Sequence, residues 1–453
     1  MVAEGSVGVA RDASQPERQG HVGLVVLGSL LVGFLLALIL AGIVFGGGTE
    51  PTITGVVLLS FAAGLGLLAW LSSRRTDQPQ RWALIPAAFF GVLGFAHVVF
   101  RPSDGVLRAF GWVWPIALVV LVVWMIRASR RSLRSWSRPV VLYPVFAVLL
   151  LAAVGGAFER ISETAAANAM PGQLVDVGGF KMHISCTGSG SPTVILEPGL
   201  GEPGVMMAGW IQPAVATTTK VCIYDRPGKG FSEPAPTPRD SIANAADLHT
   251  LLARAHVGGP YVLVGHSSGG PYIKVYASKY PDQVAGMVLL DAQPSDAFAK
   301  LPGFPTFYNV LRKGTGLLPS VARLGAMRLF YSTAVPGLPP QARSEERADW
   351  SRPSHYRSLR DEVLELHSAL TQSHALTTLG SKPLIVVTAV KDAQKGWMPL
   401  QNEMLTLSTN SVHRVIQNAT HISLTEDKTE SGISSQAVLD VVDAVRSGTP
   451  LTR

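Results

Sequence analysis

Apolar residues are concentrated in the first third of the chain, where they form long uninterrupted stretches. Five of these stretches contain no Lys, Arg, Asp or Glu, and each has close to the roughly 20 residues that a helix needs to cross a bilayer. Five in series favour membrane helices over the buried helices of a soluble bundle. The pattern therefore predicts transmembrane helices at residues 22–46, 53–71, 82–100, 109–126 and 139–157.

The pattern changes after a polar linker at residues 159–171. From residue 172 to 453, runs of strand length alternate with amphipathic stretches of helical length. Alternation of this kind predicts a mostly parallel sheet with helices on both faces. Active groups in such a sheet gather at the carboxyl ends of its strands. The predicted strand segments with their loops are 174–188, 192–201, 220–230, 284–292, 383–392 and 411–421, and a helix is predicted at 241–257.

Composition and charge support the same division. The chain of 453 residues is 47% hydrophobic and 15% charged, with a mean hydropathy of +0.28. Its net charge is +7: residues 1–158 hold 12 Arg and 6 acidic residues, giving +6, and the remainder holds 26 basic and 25 acidic residues, giving +1. The basic excess therefore belongs to the membrane loops and does not indicate a nucleic-acid partner. The nearly neutral C-terminal part suits an uncharged or amphipathic ligand.

The arginines also predict an orientation in the membrane. With a cytoplasmic N-terminus, the segments on that side hold ten arginines, whereas the opposite loops at 47–52 and 101–108 hold two. The positive-inside rule favours this arrangement. Because five spans are an odd number, we expect everything after residue 158 outside the cytoplasm, anchored to the cell membrane; one miscounted span would reverse this. Several spans with arginine-rich inner loops are typical of a bacterial protein.

The most informative motif is the pentapeptide GHSSG at residues 265–269, between a short apolar run and a helical pattern. A G-x-S-x-G sequence at a strand–turn–helix junction holds its serine in a strained turn and exposes the Oγ above the sheet. The flanking glycines let neighbouring backbone pass where a Cβ would clash. We therefore expect Ser267 to be a nucleophile. An ordinary glycine-rich turn is the alternative.

The segment from about residue 172 to 450 resembles the α/β-hydrolase fold family. The matching pieces occur in the order that the family uses: a glycine loop EPGLG, a YDRPGKGFSEP stretch, the GHSSG elbow, a strand end at Lys391-Asp392, and a late Ala-Thr-His421. The resemblance implies an α/β fold with a helical cap. It also implies a catalytic triad in the order nucleophile, acid, histidine.

This resemblance assigns roles to particular residues. A serine hydroxyl needs a base to take its proton, and His421 is the candidate base. Asp392 is the expected acid that orients the imidazole. Its rival is Asp291, which ends the strand after the nucleophile, because some family members have the acid shifted by one strand. The expected oxyanion donors are the backbone N–H groups of Leu200 and Ser268.

About 90 residues, 293–382, separate two predicted strands. A loop of that length needs structure of its own. Its Pro, Leu and aromatic residues and its final helical stretch predict a helical cap over the edge that carries Ser267. Its apolar character suggests a hydrophobic substrate, although a cap that packs only against itself is equally consistent.

The chain has two cysteines, Cys186 and Cys222, each in or at the end of a predicted strand. The resemblance places those strands side by side, so a disulfide is expected if this part lies outside the cytoplasm. Two buried thiols are the alternative. The separation of the two cysteines offers no zinc-binding spacing.

Together, these features predict a membrane-anchored serine hydrolase that cleaves carboxylic esters through an acyl-enzyme, without cofactor or metal. The expected substrate is a small hydrophobic or amphipathic ester, and the expected partner is the lipid bilayer. An amidase or peptidase of the same fold uses the same attack and stays open, as does a binding or signalling protein that has lost activity. Dehalogenases and epoxide hydrolases are disfavoured because they use Asp where this chain has Ser267. A transporter is disfavoured because the spans are uncharged.

Overall fold

The computed structural model describes residues 21–133, 141–165, 170–236, 238–331 and 337–452. These residues divide into two compact units. Unit 1 comprises Met1–Ala41, Thr54–Pro102 and Val113–Val154, and unit 2 comprises Gly42–Ile53, Ser103–Trp112 and Gly155–Arg453. Unit 2 therefore contains two of the predicted membrane loops together with the whole C-terminal part.

Some of the predicted features fall outside the described residues. They are the N-terminal arginines Arg11 and Arg18, the arginines at 134 and 138, the first two residues of the span predicted at 139–157, and residues 166–169 of the linker.

The N-terminal region consists of apolar helices joined by short loops. Among the described residues, four helices are long and apolar enough to cross a membrane, and a bent pair with an angle of 48° could make a fifth span. The bend lies between α4 (Asp104–Phe110) and α5 (Trp114–Ser132). Pro115 occupies the first turn of α5, and because proline has no backbone N–H it favours the start of a helix over the continuation of one. The helices are α1 (Val22–Leu38, followed by a π-helical Ile39–Val44), α2 (Glu50–Arg75), α3 (Leu84–Phe100), α4 (Asp104–Phe110), α5 (Trp114–Ser132) and α6 (Tyr143–Ala165).

The outer faces of these helices carry large apolar side chains. Leu24 is 66% exposed, Val92 69% and Phe100 75%. An apolar surface of this extent is unfavourable in water and suits contact with lipid. This surface and the lengths of the helices are what a membrane-spanning region needs.

The C-terminal part is built on an eight-stranded sheet of order β1-β2-β4-β3-β5-β6-β7-β8. The β1–β2 and β2–β4 pairs are antiparallel and all other pairs are parallel. The mostly parallel sheet is thus present as predicted. The strands are β1 (Gln173–Asp176), β2 (Lys181–Thr187), β3 (Thr193–Glu197), β4 (Val221–Tyr224), β5 (Tyr261–His266), β6 (Val284–Leu290), β7 (Leu384–Ala389) and β8 (Ser411–Ile416).

Helices cover both faces of this sheet, because its central strands are apolar on both sides. Every residue of β3, β5 and β7 is buried. One face packs on α9 (Ser241–Arg254) and α10 (Gly269–Lys279), and the other on α8 (Ile211–Ala216) and α19 (Lys428–Ser447). The short helix α7 (Val205–Ala208) precedes α8.

The segment between β6 and β7 is helical where the structure describes it. Its helices are α11 (Ala297–Lys300), α12 (Phe304–Thr315), α13 (Leu318–Arg323), α14 (Ala326–Tyr331), α15 (Pro340–Trp350) and α16 (Pro353–Gln372); after β7 follow α17 (Trp397–Met404), α18 (Ser423–Glu426) and α19 (Lys428–Ser447). Because the insertion leaves β6 at its carboxyl end, it forms a cap at the edge where Ser267 lies.

Strands β2 and β4 also bring the two cysteines together. Their antiparallel register sets Cys186 directly opposite Cys222, and the two residues form a disulfide. This is the pairing that the sequence analysis expected.

Candidate active site

Ser267 occupies a strained turn between β5 and α10. Its φ is +53°, a left-handed conformation that is uncommon for a residue other than glycine and is typical of functional sites. The turn is fixed by backbone hydrogen bonds: the Ser267 N–H donates to the Leu290 carbonyl (3.1 Å), and the Gln293 N–H donates to the Ser267 carbonyl (2.8 Å). The neighbouring strand thus holds the serine at the carboxyl edge of the sheet.

The glycines of the pentapeptide are required by close backbone contacts. A Cβ on Gly265 would lie 2.8 Å from the carbonyl carbon of Gly269, and a Cβ on Gly269 would overlap the carbonyl oxygen of Glu197. Only glycine allows α10 to start this close to the ends of β3 and β5. This is the arrangement that the motif predicts.

His421 lies at the same edge, and its orienting carboxylate is Asp291. The Nδ1 atom of His421 is 2.6 Å from Oδ2 of Asp291. Asp291 is buried, and its Oδ1 accepts from the indole N–H of Trp397 (2.7 Å) and from the Ala389 N–H (3.3 Å). Because both of its oxygens are hydrogen-bonded, the Asp291 carboxylate has a fixed position and orients the imidazole through Nδ1. The other ring nitrogen, Nε2, is then the one that can accept a proton from a hydroxyl group.

Asp392, the acid preferred by the sequence analysis, has a different contact. Its two carboxylate oxygens accept from the backbone N–H of His421, at 2.9 and 3.2 Å, and not from its ring. The reason is the strand order: β6, which Asp291 follows directly, lies between the nucleophile strand and β7. We therefore reassign the acid of the proposed triad from Asp392 to Asp291.

His266 ties the serine turn to His421. Its Nε2 lies 3.0 Å from the His421 carbonyl oxygen, and the two rings are tilted with centroids 4.7 Å apart. Because Ser267 is the next residue, this contact puts the serine and the imidazole of His421 on one edge of the sheet. The structure thus places Ser267, His421 and Asp291 at one edge of the sheet, with the His421 ring in contact with Asp291.

The two expected oxyanion donors lie on either side of the serine turn. Ser268 caps α10, and Leu200 lies in the loop after β3. Within the described residues, neither backbone N–H donates to another protein group. Such N–H groups are available to a developing negative charge on a substrate oxygen.

One side of the loop that carries Leu200 is held by the buried Arg226. Its guanidinium donates to Glu197 Oε1 (2.6 Å), to the Pro198 carbonyl (2.7 Å) and to the Gly199 carbonyl. Its Nε donates to Glu362 of cap helix α16 at 3.1 Å. Several hydrogen bonds donated from one planar group require a guanidinium, which arginine has and lysine does not.

Glu362 completes this contact from the cap. Besides Arg226, it accepts from the Gly201 N–H at 2.8 Å. Burial opposes ionisation of Glu362, but the charges of Arg226 and Lys229 and the hydrogen bonds from Arg226 and Gly201 together outweigh it, and the pKa of Glu362 is lowered. The carboxylate is therefore charged at neutral pH and links cap helix α16 to the residue after Leu200.

The other side of the same loop is held by Glu202. Its Oε2 accepts from the Gly199 N–H (2.6 Å) and lies 3.1 Å from Nδ1 of His266. Burial lowers the pKa of His266, but the charge and hydrogen bond of Glu202, with the His421 carbonyl and the charge of Asp291, together outweigh it, and the pKa is raised. Burial raises the pKa of Glu202, but the charge and hydrogen bond of His266, the Gly199 N–H and the charge of His421 together lower it. Because both ring nitrogens of His266 face acceptors, the imidazole is a double donor between the loop and His421.

Sequence reasoning missed most of these supporting residues. Glu202 directly follows the EPGLG loop, and Arg226 lies in the YDRPGKG stretch. The sequence marks both segments as family motifs but does not predict the contacts of these two residues. Glu362 and Trp397 carry no local signal, because they are single residues in helices far along the chain. Asp225, also in the YDRPGKG stretch, links two loops: its carboxylate accepts from the Gly204 N–H at 2.7 Å and the Phe231 N–H at 3.0 Å.

A cavity of about 340 Å³ opens beside the imidazole of His421. It is lined on one side by Asp291 and Trp397, and on the cap side by Phe304 and Phe307 of α12. Polar groups at the base and aromatic rings at the rim suit a substrate with a reactive polar bond and an apolar part. Among the described residues, no group of three His, Cys, Asp or Glu side chains is arranged to hold a metal ion.

Comparisons with known proteins agree with this fold. Residues 192–314 match the family model described as alpha/beta hydrolase fold. The solved structure of DBJA superposes with a TM-score of 0.50 at 16% identity, covering 61% of this chain and all of that one. The C-terminal part of the chain therefore has the α/β-hydrolase fold.

Two curated relatives extend the comparison. An uncharacterised protein of Schizosaccharomyces pombe is 30% identical over 291 residues, which are 55% of this chain and 52% of that protein. A 2-hydroxy-6-oxononadienedioate/2-hydroxy-6-oxononatrienedioate hydrolase of Cupriavidus pinatubonensis is 30% identical over 155 residues, 33% of this chain and 52% of that protein. The chain spans about half the length of each. It is thus an α/β-hydrolase-fold chain with an N-terminal region of apolar helices.

Proposed function

We propose that the protein is a membrane-anchored serine hydrolase that cleaves carboxylic esters through an acyl-enzyme on Ser267. The observation that carries the proposal is the hydrogen bond between His421 and the buried Asp291, beside a serine with a strained, positive φ. A buried carboxylate held against an imidazole, at a cavity that Phe304 and Phe307 also line, is otherwise a costly arrangement in a fold. The similarity to a curated hydrolase is consistent with it.

The reaction follows from the roles of these groups. The Oγ of Ser267 attacks the acyl carbonyl while Nε2 of His421 takes the hydroxyl proton. The N–H groups of Leu200 and Ser268 stabilise the resulting oxyanion. The tetrahedral intermediate collapses, the alcohol leaves with the proton from His421, and the acyl group stays on Ser267. A water molecule, deprotonated by His421, then attacks the acyl carbonyl and releases the acid.

The first test is labelling of the serine. The full-length protein in detergent is treated with a fluorophosphonate probe, which reacts with activated serines. We expect Ser267→Ala to abolish labelling and hydrolysis of p-nitrophenyl esters. The matched control is Ser278→Ala, in the following helix α10, whose hydroxyl donates to the Ala375 carbonyl. We expect this variant to retain both labelling and hydrolysis. Equal labelling of Ser267→Ala and wild type would reject the nucleophile. A parallel set of p-nitrophenyl esters and anilides distinguishes an esterase from an amidase.

We also propose that the hydrolase unit lies outside the cytoplasm, at the cell membrane. Two features support this location. The arginine-poor loops at 47–52 and 101–108, which the positive-inside rule puts outside, belong to the same compact unit as the sheet, apart from residues 101 and 102. A disulfide joins Cys186 and Cys222, and disulfides persist mainly in oxidising compartments.

A further inference from the structure

We propose that the exposed apolar face of cap helix α12 lies in the membrane interface and leads acyl substrates from the bilayer to the cavity beside His421. This inference rests on the proposed function and names its substrate class: an ester whose acyl chain is dissolved in lipid. The occupant of the α12 face is thus the outer surface of the bilayer that holds the N-terminal helices.

The α12 face is defined by Phe307 and Val310, two residues one helical turn apart. Phe307 is 58% exposed and Val310 is 69% exposed, and their i, i+3 spacing puts them on the same side of the helix. Phe304, by contrast, is buried in the cap against Leu366 and Trp397. The helix is therefore packed on one side and leaves large apolar side chains uncovered on the other.

The same face borders the cavity of the candidate site. Phe304 and Phe307 both line the cavity into which His421 and Asp291 project. Phe307 therefore belongs at once to the rim of the cavity and to the exposed surface. A hydrocarbon chain lying along the α12 face would reach the cavity without crossing a polar surface.

The C-terminal end of α12 is attached to the segment that leaves the first apolar helix. The backbone of Gly316 packs on that of Gly47, where a Cβ on Gly316 would lie 2.9 Å from the Gly47 Cα, and the Gly47 carbonyl accepts from Arg360 Nε at 3.0 Å. Three residues further on, the buried Glu50 pairs with Arg323 and Arg357 of the cap. All of these residues belong to unit 2.

Chain continuity then sets the depth of the α12 face. The apolar helix that begins at Val22 ends at Val44, so Gly47 lies where the chain leaves the hydrocarbon. Lys313 of α12 lies against the residue before Gly47, since a Cβ on Gly46 would be 3.0 Å from the Lys313 Cγ. Phe307 precedes Lys313 by six residues, a helical rise of roughly 9 Å at about 1.5 Å per residue. The interfacial layer on each side of the hydrocarbon is roughly 5–8 Å thick. The distance from this contact to Phe307 is thus comparable to the thickness of the interfacial layer.

A second contact between the cap and an apolar helix lies close in sequence. The backbones of Gly155, in α6, and Gly325, between α13 and α14, are in direct contact. Beyond it, α14 exposes Leu329 by 68% and Phe330 by 64%. Exposed apolar residues thus occur in the cap segments next to both attachments, and the exposed Lys313 adds the basic charge that interfacial helices use toward lipid headgroups.

The test uses the full-length protein in vesicles of phosphatidylcholine and phosphatidylglycerol. The chain has only two cysteines and both are in the disulfide, so a single added cysteine can be labelled selectively with an environment-sensitive NBD dye. Val310→Cys probes the α12 face. The control is Ser381→Cys, an exposed position just before β7, at the amino edge of the sheet and away from the cap.

We expect the dye at position 310 to be quenched by lipids with a spin label near the headgroup, and the dye at position 381 not to be. Equal quenching at both positions would overturn the proposal. Formation of disulfide-linked dimers through position 310 without lipid quenching would assign the face to a second copy of the chain, and would also overturn it.

An activity measurement addresses the substrate class. We expect Val310→Asn to lower kcat/KM for a long-chain ester embedded in the vesicles by about tenfold, the scale of one side chain lost from an apolar surface, and to change hydrolysis of water-soluble p-nitrophenyl acetate less than twofold. Equal loss on both esters would reject delivery along α12. Absence of acetate hydrolysis in the wild type would instead reject the proposed function itself.

Discussion

At the scale of single residues, the candidate site depends on which carboxylate the imidazole of His421 contacts. Asp291 and Asp392 both contact this histidine. Asp291 is hydrogen-bonded to the His421 ring, whereas Asp392 accepts from the His421 backbone N–H. Asp291 also has a positive φ of +42°, so two of the three residues of the proposed triad lie in the sparsely populated left-handed region. Strain of this kind persists only where the surrounding structure holds it in place.

The contacts of the two acids predict different effects of the same substitution. We expect Asp291→Asn to lower kcat for p-nitrophenyl esters by roughly 10³- to 10⁴-fold, because an amide no longer stabilises the correct tautomer and the imidazolium form. Asp392→Asn should cost about tenfold or less, since an amide oxygen still accepts from a backbone N–H. Steady-state kinetics of both variants measure the difference, and a larger loss in Asp392→Asn would return the acid role to that residue.

At the scale of structural elements, the loop that carries Leu200, here called the oxyanion loop after its proposed role, is held by groups from three different places in the chain. Arg226 follows β4, Glu202 is in the loop itself, and Glu362 comes from cap helix α16. Loop backbone held on both sides keeps its N–H groups oriented, which the proposed stabilisation of a transition state requires. The cap thus contacts the loop as well as covering the edge of the sheet.

This link predicts that a cap residue affects the chemical step. We expect Glu362→Gln to lower kcat by roughly 10- to 100-fold with little change in KM, because an oxyanion donor acts mainly in the transition state. We also expect it to reduce stability by about 3–5 kcal/mol, the usual cost of breaking a buried ion pair.

The matched control is Glu365→Gln, one turn further along α16, where the structure records no ion pair for the glutamate in the described residues. It should keep kcat within about twofold. A raised KM with unchanged kcat in Glu362→Gln would place this residue in substrate binding and not in support of the oxyanion loop. Thermal unfolding of both variants shows whether a loss of activity reflects loss of the fold.

At the scale of the whole molecule, the open question is on which side of the membrane each segment lies. Segments 42–53 and 103–112 belong to the same compact unit as the sheet. The arginine-rich segment at 72–81 lies in unit 1, and the positive-inside rule predicts that it is cytoplasmic. The number of spans reaches five only if the bent α4–α5 pair counts as one.

Cysteine labelling in intact cells tests this arrangement directly. An impermeant maleimide should label Ser103→Cys, an exposed position just before α4, and should not label Asp77→Cys until the cells are opened. The wild type should remain unlabelled even when unfolded without reductant, because both of its cysteines are in the disulfide. Labelling of Asp77→Cys but not Ser103→Cys in intact cells would reverse the topology.

The sequence by itself determined the features that depend on neighbouring residues. Apolar stretches of membrane length, the alternation of strands and helices, and the strained serine turn are all encoded within about 20 residues, because hydrogen bonding and burial in a helix, strand or turn repeat over that distance. The helical nature of the cap and the position of His421 after the last strand also followed from this pattern.

Only the tertiary structure decided which distant side chains meet. Strand order placed Asp291 beside His421, and the packing of α16 brought Glu362 to the backbone of Gly201, 161 residues away in the chain. The attachment of α12 near Gly47 likewise joins segments more than 250 residues apart. Such contacts arise from the arrangement of complete elements around one core, and no local pattern of residues records them.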